Sequence, residues 1–113
     1  MFKIVPNPTF ACQVPLRRPD SEVPVRVGWT FRHKTAAELA AWMRRAADGE
    51  YPSDVEFIAE VTEGWGAEIL GADDKPLPYS AQALAQLLDA FPGAGVDIVT
   101  TYRRRLGDAR LGN

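Results

Sequence analysis

Two stretches of the chain alternate apolar and polar residues, and a few positions later the apolar period lengthens from 2 to 3.6. Phe10, Cys12, Val14 and Leu16 form the first series and Val23, Val25, Val27, Trp29 and Phe31 the second. A period of two places every apolar side chain on one face of an extended strand, so each stretch predicts a half-buried β-strand. Between them, Arg17 to Glu22 is polar and contains Pro19 and Asp20, which predicts a long hairpin loop and antiparallel pairing. Pro15 and Pro24 lack the N–H that a ladder needs, so each is expected at a sheet edge or a strand end. Phe2 to Val5 is a candidate third strand.

At Thr35 the helical period begins, with Ala36, Leu39, Ala40, Met43, Ala46 and Ala47 on one face. Thr35 and Glu38 read as a capping box, in which each side chain satisfies an orphan backbone N–H. Gly49 supplies a left-handed stop. A second box, Ser53 to Glu56, predicts a helix with Val55, Ile58, Val61 and Trp65 on its face, ended by Gly64 and Gly66, with Pro52 stapled onto Phe57. Gly66 to Tyr79 is the longest loop. Ser80 caps a third helix carrying Ala81, Leu84, Leu88 and Phe91, with Leu87 beside them and Tyr79 placed to staple onto Leu84. Pro92 fits the first turn of a fourth, with Val96, Val99, Tyr102 and Leu106 on its face and Ile98 alongside. The expected fold class is α+β: an N-terminal antiparallel hairpin, or three strands, followed by about four helices. It forms a single domain over 1–113, mainly β over 1–33 and mainly α over 34–107, with a frayed tail at 108–113.

The 113 residues, 46% hydrophobic, suffice for one core. Cys12 is the only cysteine and His33 the only histidine, so neither an internal disulfide nor a histidine-based metal set can form. No nucleophile–base pair or paired carboxylates can be named around His33, and no catalytic, cofactor-binding or metal-binding residue is assigned. Asp73 and Asp74 lack the alternating ligands of a calcium loop. The first residues lack the apolar stretch of a signal peptide, and no run approaches the ~20 apolar residues of a membrane span. A cytoplasmic protein is expected. Net charge is −2 but unevenly spread, at +3 over 1–53, −8 over 54–101 and +3 over 102–113. A broad nucleic-acid binder carries a basic surplus, so contact through Arg103 to Arg105 and Arg110 is the minority reading.

Three tryptophans in so short a chain point to protein contacts, aromatics being enriched at interfaces. Trp29 is in phase with the strand face and belongs to the core. Trp42 sits toward the edge of helix one's apolar face and Trp65 where helix two gives way to the loop, so both are candidates for an exposed surface.

The run from Thr9-Phe10 through the valine-rich strand to Phe31-Arg32-His33-Lys34-Thr35, then Glu38-Leu39 and Trp42, resembles the tail assembly chaperones of long-tailed bacteriophages and prophages. Gly64-Trp65, Tyr79-Ser80, Leu84, Leu87 to Pro92, Ala94, Ile98, Tyr102 and Ala109 to Asn113 continue the likeness over nearly the whole chain, although the segment from Gly66 to Pro78 is longer than the family pattern. The resemblance implies a non-enzymatic role: binding the helical tape measure protein during tail assembly, yielding to tail tube subunits, and absence from the finished virion. It also leaves room for a homo-oligomer and calls for no cofactor. On that reading Trp42, Trp65 and Tyr79 would supply affinity, and Glu56, Glu60 and Glu63 would steer basic stretches of the partner. The competing readings are a head–tail joining or tail-terminator subunit, which would stay in the virion, and a small nucleic-acid-binding regulator.

Overall fold

A computed structural model describes residues 1–108. The chain runs β1 (Thr9–Arg18), β2 (Ser21–Arg32), α1 (Ala36–Ala47), α2 (Asp54–Ala59), β3 (Thr62–Trp65), α3 (Ala81–Ala90) and α4 (Ala94–Arg105). The α+β class is as expected. Of the frayed tail expected at 108–113, Asp108 is held, its N–H donating to Arg103 C=O at 2.9 Å and its carboxylate pairing with Arg103 Nε at 2.7 Å, while 109–113, with Arg110, lie outside the described residues.

β1 and β2 pair antiparallel from Thr9 opposite Arg32 to Arg18 opposite Ser21, with a register shift between Leu16 and Arg18. The connection is therefore a tight turn at Pro19 and Asp20 and not the long loop that its polarity suggested: backbone pairing does not need apolar side chains, so the strands run on through Arg17 and Glu22. Gly28 turns its backbone away from β1, its C=O accepting from Gly66 N–H at 2.8 Å and its N–H donating to Glu68 at 3.2 Å. By alternation Pro24 and Arg26 face the same way, and so does Pro15, the partner of Arg26, toward the outer edge of β1. Both prolines sit where no ladder bond is required.

The third strand is β3, not Phe2 to Val5. Met1 to Pro8 forms no strand, and Thr62 to Trp65, expected in helix two, pairs antiparallel with β2 through Trp29–Trp65, Thr30–Gly64 and Phe31–Thr62. Helix two is accordingly six residues long. The open edge of β2 supplies bonds that a longer helix would have had to find internally, and the buried Thr62 hydroxyl accepts from Trp29 Nε1–H while donating to Ile58 C=O.

The helix caps follow the sequence closely. Thr35 and Glu38 make the reciprocal capping box. Gly49, at φ +72°, closes α1 with Gly49 N–H to Ala46 C=O and Glu50 N–H to Arg45 C=O, the paired bonds of a Schellman motif. Gly107 repeats this at the end of α4 with bonds to Arg104 and from Asp108 to Arg103. Ser53 caps α2 through Val55 N–H, and its hydroxyl donates to Glu56. Ser80 caps α3 through Ala83 N–H.

The helices cover one face of the sheet. Val14, Val27, Trp29 and Phe31 meet Trp42 of α1, Ile58 of α2, Leu84 of α3, and Ile98 and Tyr102 of α4 in one apolar cluster. The buried face of α4 is Ala94, Ile98 and Tyr102, while Val96, expected inward, is 62% exposed. Burying Ala94, Ile98 and Tyr102, spaced four apart, turns Val96 outward, and the Asp97 carboxylate accepts from Arg17 N–H at 3.0 Å and Nε at 2.7 Å, joining α4 to the end of β1.

Candidate partner-binding surface

Of the six residues expected to meet a partner, Trp42 is the one that the fold encloses. It is 0% exposed, its ring stacked on Phe57 at 3.9 Å and edge-on to Tyr102 at 5.4 Å, with its indole N–H donated to Phe57 C=O at 3.0 Å. The expectation of an exposed Trp42 is corrected. A wheel position near the rim of one helix's stripe becomes interior once α2 and α4 pack on both sides of it.

Trp65, Tyr79 and Glu63 come together. β3 carries Trp65 at the edge of the core face, tilted against Trp29 at 5.5 Å and meeting Tyr79 edge-on at 5.1 Å. Its Nε1–H donates to Leu77 C=O at 2.7 Å, which ties the 66–79 loop to the sheet. Both rings are half-buried. Burial raises the Tyr79 pKa, partly opposed by the Arg32 charge. Arg32 in turn pairs with exposed Glu63 at 2.8 Å. The result is an aromatic shelf with one ion pair at its rim.

Glu60 and Glu56 lie elsewhere. Glu60 accepts from Lys34 at 2.8 Å, Arg45 at 2.7 Å and the Tyr51 hydroxyl at 2.5 Å, locking both ends of α1 to the end of α2. Burial pushes its pKa up, but the bonds from Lys34 and Tyr51 and the two cationic charges outweigh that and hold it below the ordinary value. Glu56 is held low chiefly by the Ser53 hydroxyl. Glu60 is thus already committed within the fold.

A second surface was not named from the sequence. Val25 and Val27 of β2, Ile69 and Leu70 of the loop, and Leu87 and Phe91 at the end of α3 line a groove of about 170 Å³, with Arg17, Arg18 and Glu68 as its charged lining. β3 pairs with β2 only from Trp29 to Phe31, so the earlier half of β2 is paired on its β1 edge alone and its core-facing valines line this groove. The available signal was the apolar pair Ile69-Leu70 inside an otherwise Gly- and Asp-rich loop. Leu70 remains 50% exposed.

His33 donates its backbone N–H to Pro8 C=O at 2.9 Å, and among the described residues no group of three His, Cys, Asp or Glu side chains converges to hold a metal ion. Among the same residues no helix is long and apolar enough to cross a membrane. The potential of the surface lies in apolar contact framed by charge.

Neither a curated protein nor a solved structure matches the chain. The family model described as phage tail assembly chaperone matches residues 1–113, the full length, including the hairpin, the aromatic shelf and the long loop. The chain therefore belongs to the phage tail assembly chaperone family.

Proposed function

We propose that this protein binds the tape measure protein while a phage tail is being built, keeps it soluble and extended in the host cytoplasm, and is displaced as tail tube subunits polymerise. It acts without catalysis and does not remain in the finished particle. The observation that carries the reading is the match of the tail assembly chaperone family over the whole chain. The physical case is that a long amphipathic helix cannot bury its apolar stripe alone and needs a complementary apolar surface. Trp65 and Tyr79 offer one, half-buried and therefore held rigid at little entropic cost. Glu63 and Glu56, exposed within the acidic stretch 54–101, steer basic segments of the partner toward it. Trp42 and Glu60 contribute indirectly, by fixing α1 against α2. Weak contacts of this size, repeated over many copies, give avidity while leaving each copy displaceable.

The test is capture of a tape measure fragment by the wild type and by Trp65→Ala across a range of salt. Capture is expected to weaken in the variant and with added salt; wild-type capture by Trp65→Ala, with no salt dependence, rejects the assignment of these residues. Mass spectrometry of purified virions addresses the role itself. A stoichiometric amount of this chain in completed tails would instead make it a joining or terminator subunit.

A further inference from the structure

β2 has a strand on both sides only from Trp29 onward, and before that one of its edges carries none. An open edge is a template on which an extended segment of another chain can pair. By the alternation of the ladder, Pro24, Arg26 and Gly28 turn their backbone groups toward it. Gly28 is already closed. Its C=O accepts from Gly66 N–H at 2.8 Å and its N–H donates to a Glu68 carboxylate oxygen at 3.2 Å. Glu68 is exposed, so it is not packing that brings its carboxylate to a backbone group forty residues away. Two glycines make room for it: a Cβ on Gly66 would overlap the carboxylate, and one on Gly28 would stand 3.6 Å from it. On the other side of Arg26, Pro24 has no N–H to give.

We propose that Glu68 is a guard of the β2 edge: its carboxylate takes the place at Gly28 that a strand added by another chain would need, and Pro24 closes the same edge on the far side of Arg26. An antiparallel partner exchanges a pair of bonds with every second residue of the strand it joins. Here it could complete such a pair only at Arg26, because both groups of Gly28 are engaged and Pro24 offers an acceptor alone. One complete pair does not hold a strand, since even full two-stranded pairings are marginal in water. A side-chain carboxylate suits the task better than a further strand would. It satisfies the Gly28 N–H without presenting a new edge of its own, and its charge disfavours an apolar segment laid across it. The position matters because Val25 and Val27 beside this edge line the apolar groove. Unguarded, the edge would join open backbone to apolar contact, the combination that captures extended chains. The guard leaves the groove accessible to side chains while denying the backbone ladder. This inference does not depend on which tail protein the chaperone binds.

The test compares the full chain with Glu68→Ala, which removes the guard, Gly66→Ala, whose Cβ displaces it, and Glu68→Gln, which keeps an oxygen to accept from Gly28 but no charge. Far-UV circular dichroism verifies that each variant folds. Hydrogen exchange in dilute solution reads the guard bond itself. The Gly28 amide is expected to exchange faster than wild type in both alanine variants and at the wild-type rate in Glu68→Gln. The amide I infrared band of intermolecular sheet, followed over a concentration series, reads the consequence. That band is expected to appear at about fivefold lower concentration in the alanine variants, the effect of one further backbone hydrogen bond. Adding Pro24→Val to Glu68→Ala restores a second donor and is expected to lower the threshold again by a similar factor. Alanine variants that match the wild type in both measurements would overturn the proposal. So would a Glu68→Gln chain that forms intermolecular sheet as readily as Glu68→Ala, because charge and not the occupied bond would then protect the edge. Association of the variants without a rise in that band would overturn it as well.

Discussion

Replacing Trp42 by alanine separates a structural tryptophan from a binding one. The ring is fully enclosed, stacked on Phe57, edge-on to Tyr102, and hydrogen-bonded to Phe57 C=O. Truncating a buried Trp to Ala costs about 3–5 kcal/mol through lost transfer energy and the residual cavity, and the orphaned carbonyl favours the upper half of that range. A chain of this length is stable by about 6–17 kcal/mol at ~0.05–0.15 kcal/mol per residue, so the variant folds but loses a large share of its margin. With a urea slope near ~1.5 kcal/mol/M, a loss of about 4 kcal/mol lowers the midpoint by roughly 2.5 M. The assay is equilibrium urea unfolding followed by far-UV circular dichroism. Trp65→Ala, half-buried, is the control, expected to lose about 1–2 kcal/mol. A midpoint shift below about 0.5 M for Trp42→Ala, or a shift smaller than that of Trp65→Ala, would refute the placement of Trp42 at the centre of the packing.

Tyr102→Phe removes the hydroxyl that donates to Arg32 C=O at 2.7 Å and is expected to cost about 1–2 kcal/mol in the same assay. Gly49→Ala forces a Cβ into a φ of +72° and should cost about 1 kcal/mol, although nothing lies near enough to clash. The Glu60 carboxyl is held below its ordinary value of 4.5 in the folded chain, as are those of Glu38 and Glu56. Their stabilisation is therefore present above about pH 4.5 and is lost as pH falls through the lower folded values. Urea midpoints are expected to hold above about pH 4.5 and to drop as pH falls below it, and Glu60→Gln should flatten that dependence.

What could be read from the residues alone was whatever local chemistry fixes. The hairpin follows from two period-two series, and α1, α2 and α3 begin at Thr35, Ser53 and Ser80 because a hydroxyl there satisfies backbone N–H groups within the next three residues. The stop at Gly49 needs only a residue tolerant of positive φ. The whole-chain likeness to the tail assembly chaperones was also visible in the residue order.

The tertiary structure decided everything that depends on a neighbour distant in sequence. Thr62 to Trp65 carries too few residues to establish a period, and it becomes a strand because the exposed edge of β2 presents unpaired backbone groups to it. Burial of Ala94, Ile98 and Tyr102 against the rest of the core sets the rotation of α4 and exposes Val96, and Asp97 bonds Arg17, eighty residues away. Trp42 is interior because Phe57 and Tyr102 close over it, and the groove exists because β3 stops short of covering β2. A helical wheel or an alternation records which side of one element is apolar. How much of that side is covered, and by what, is set only when separate elements meet and exchange water for contact.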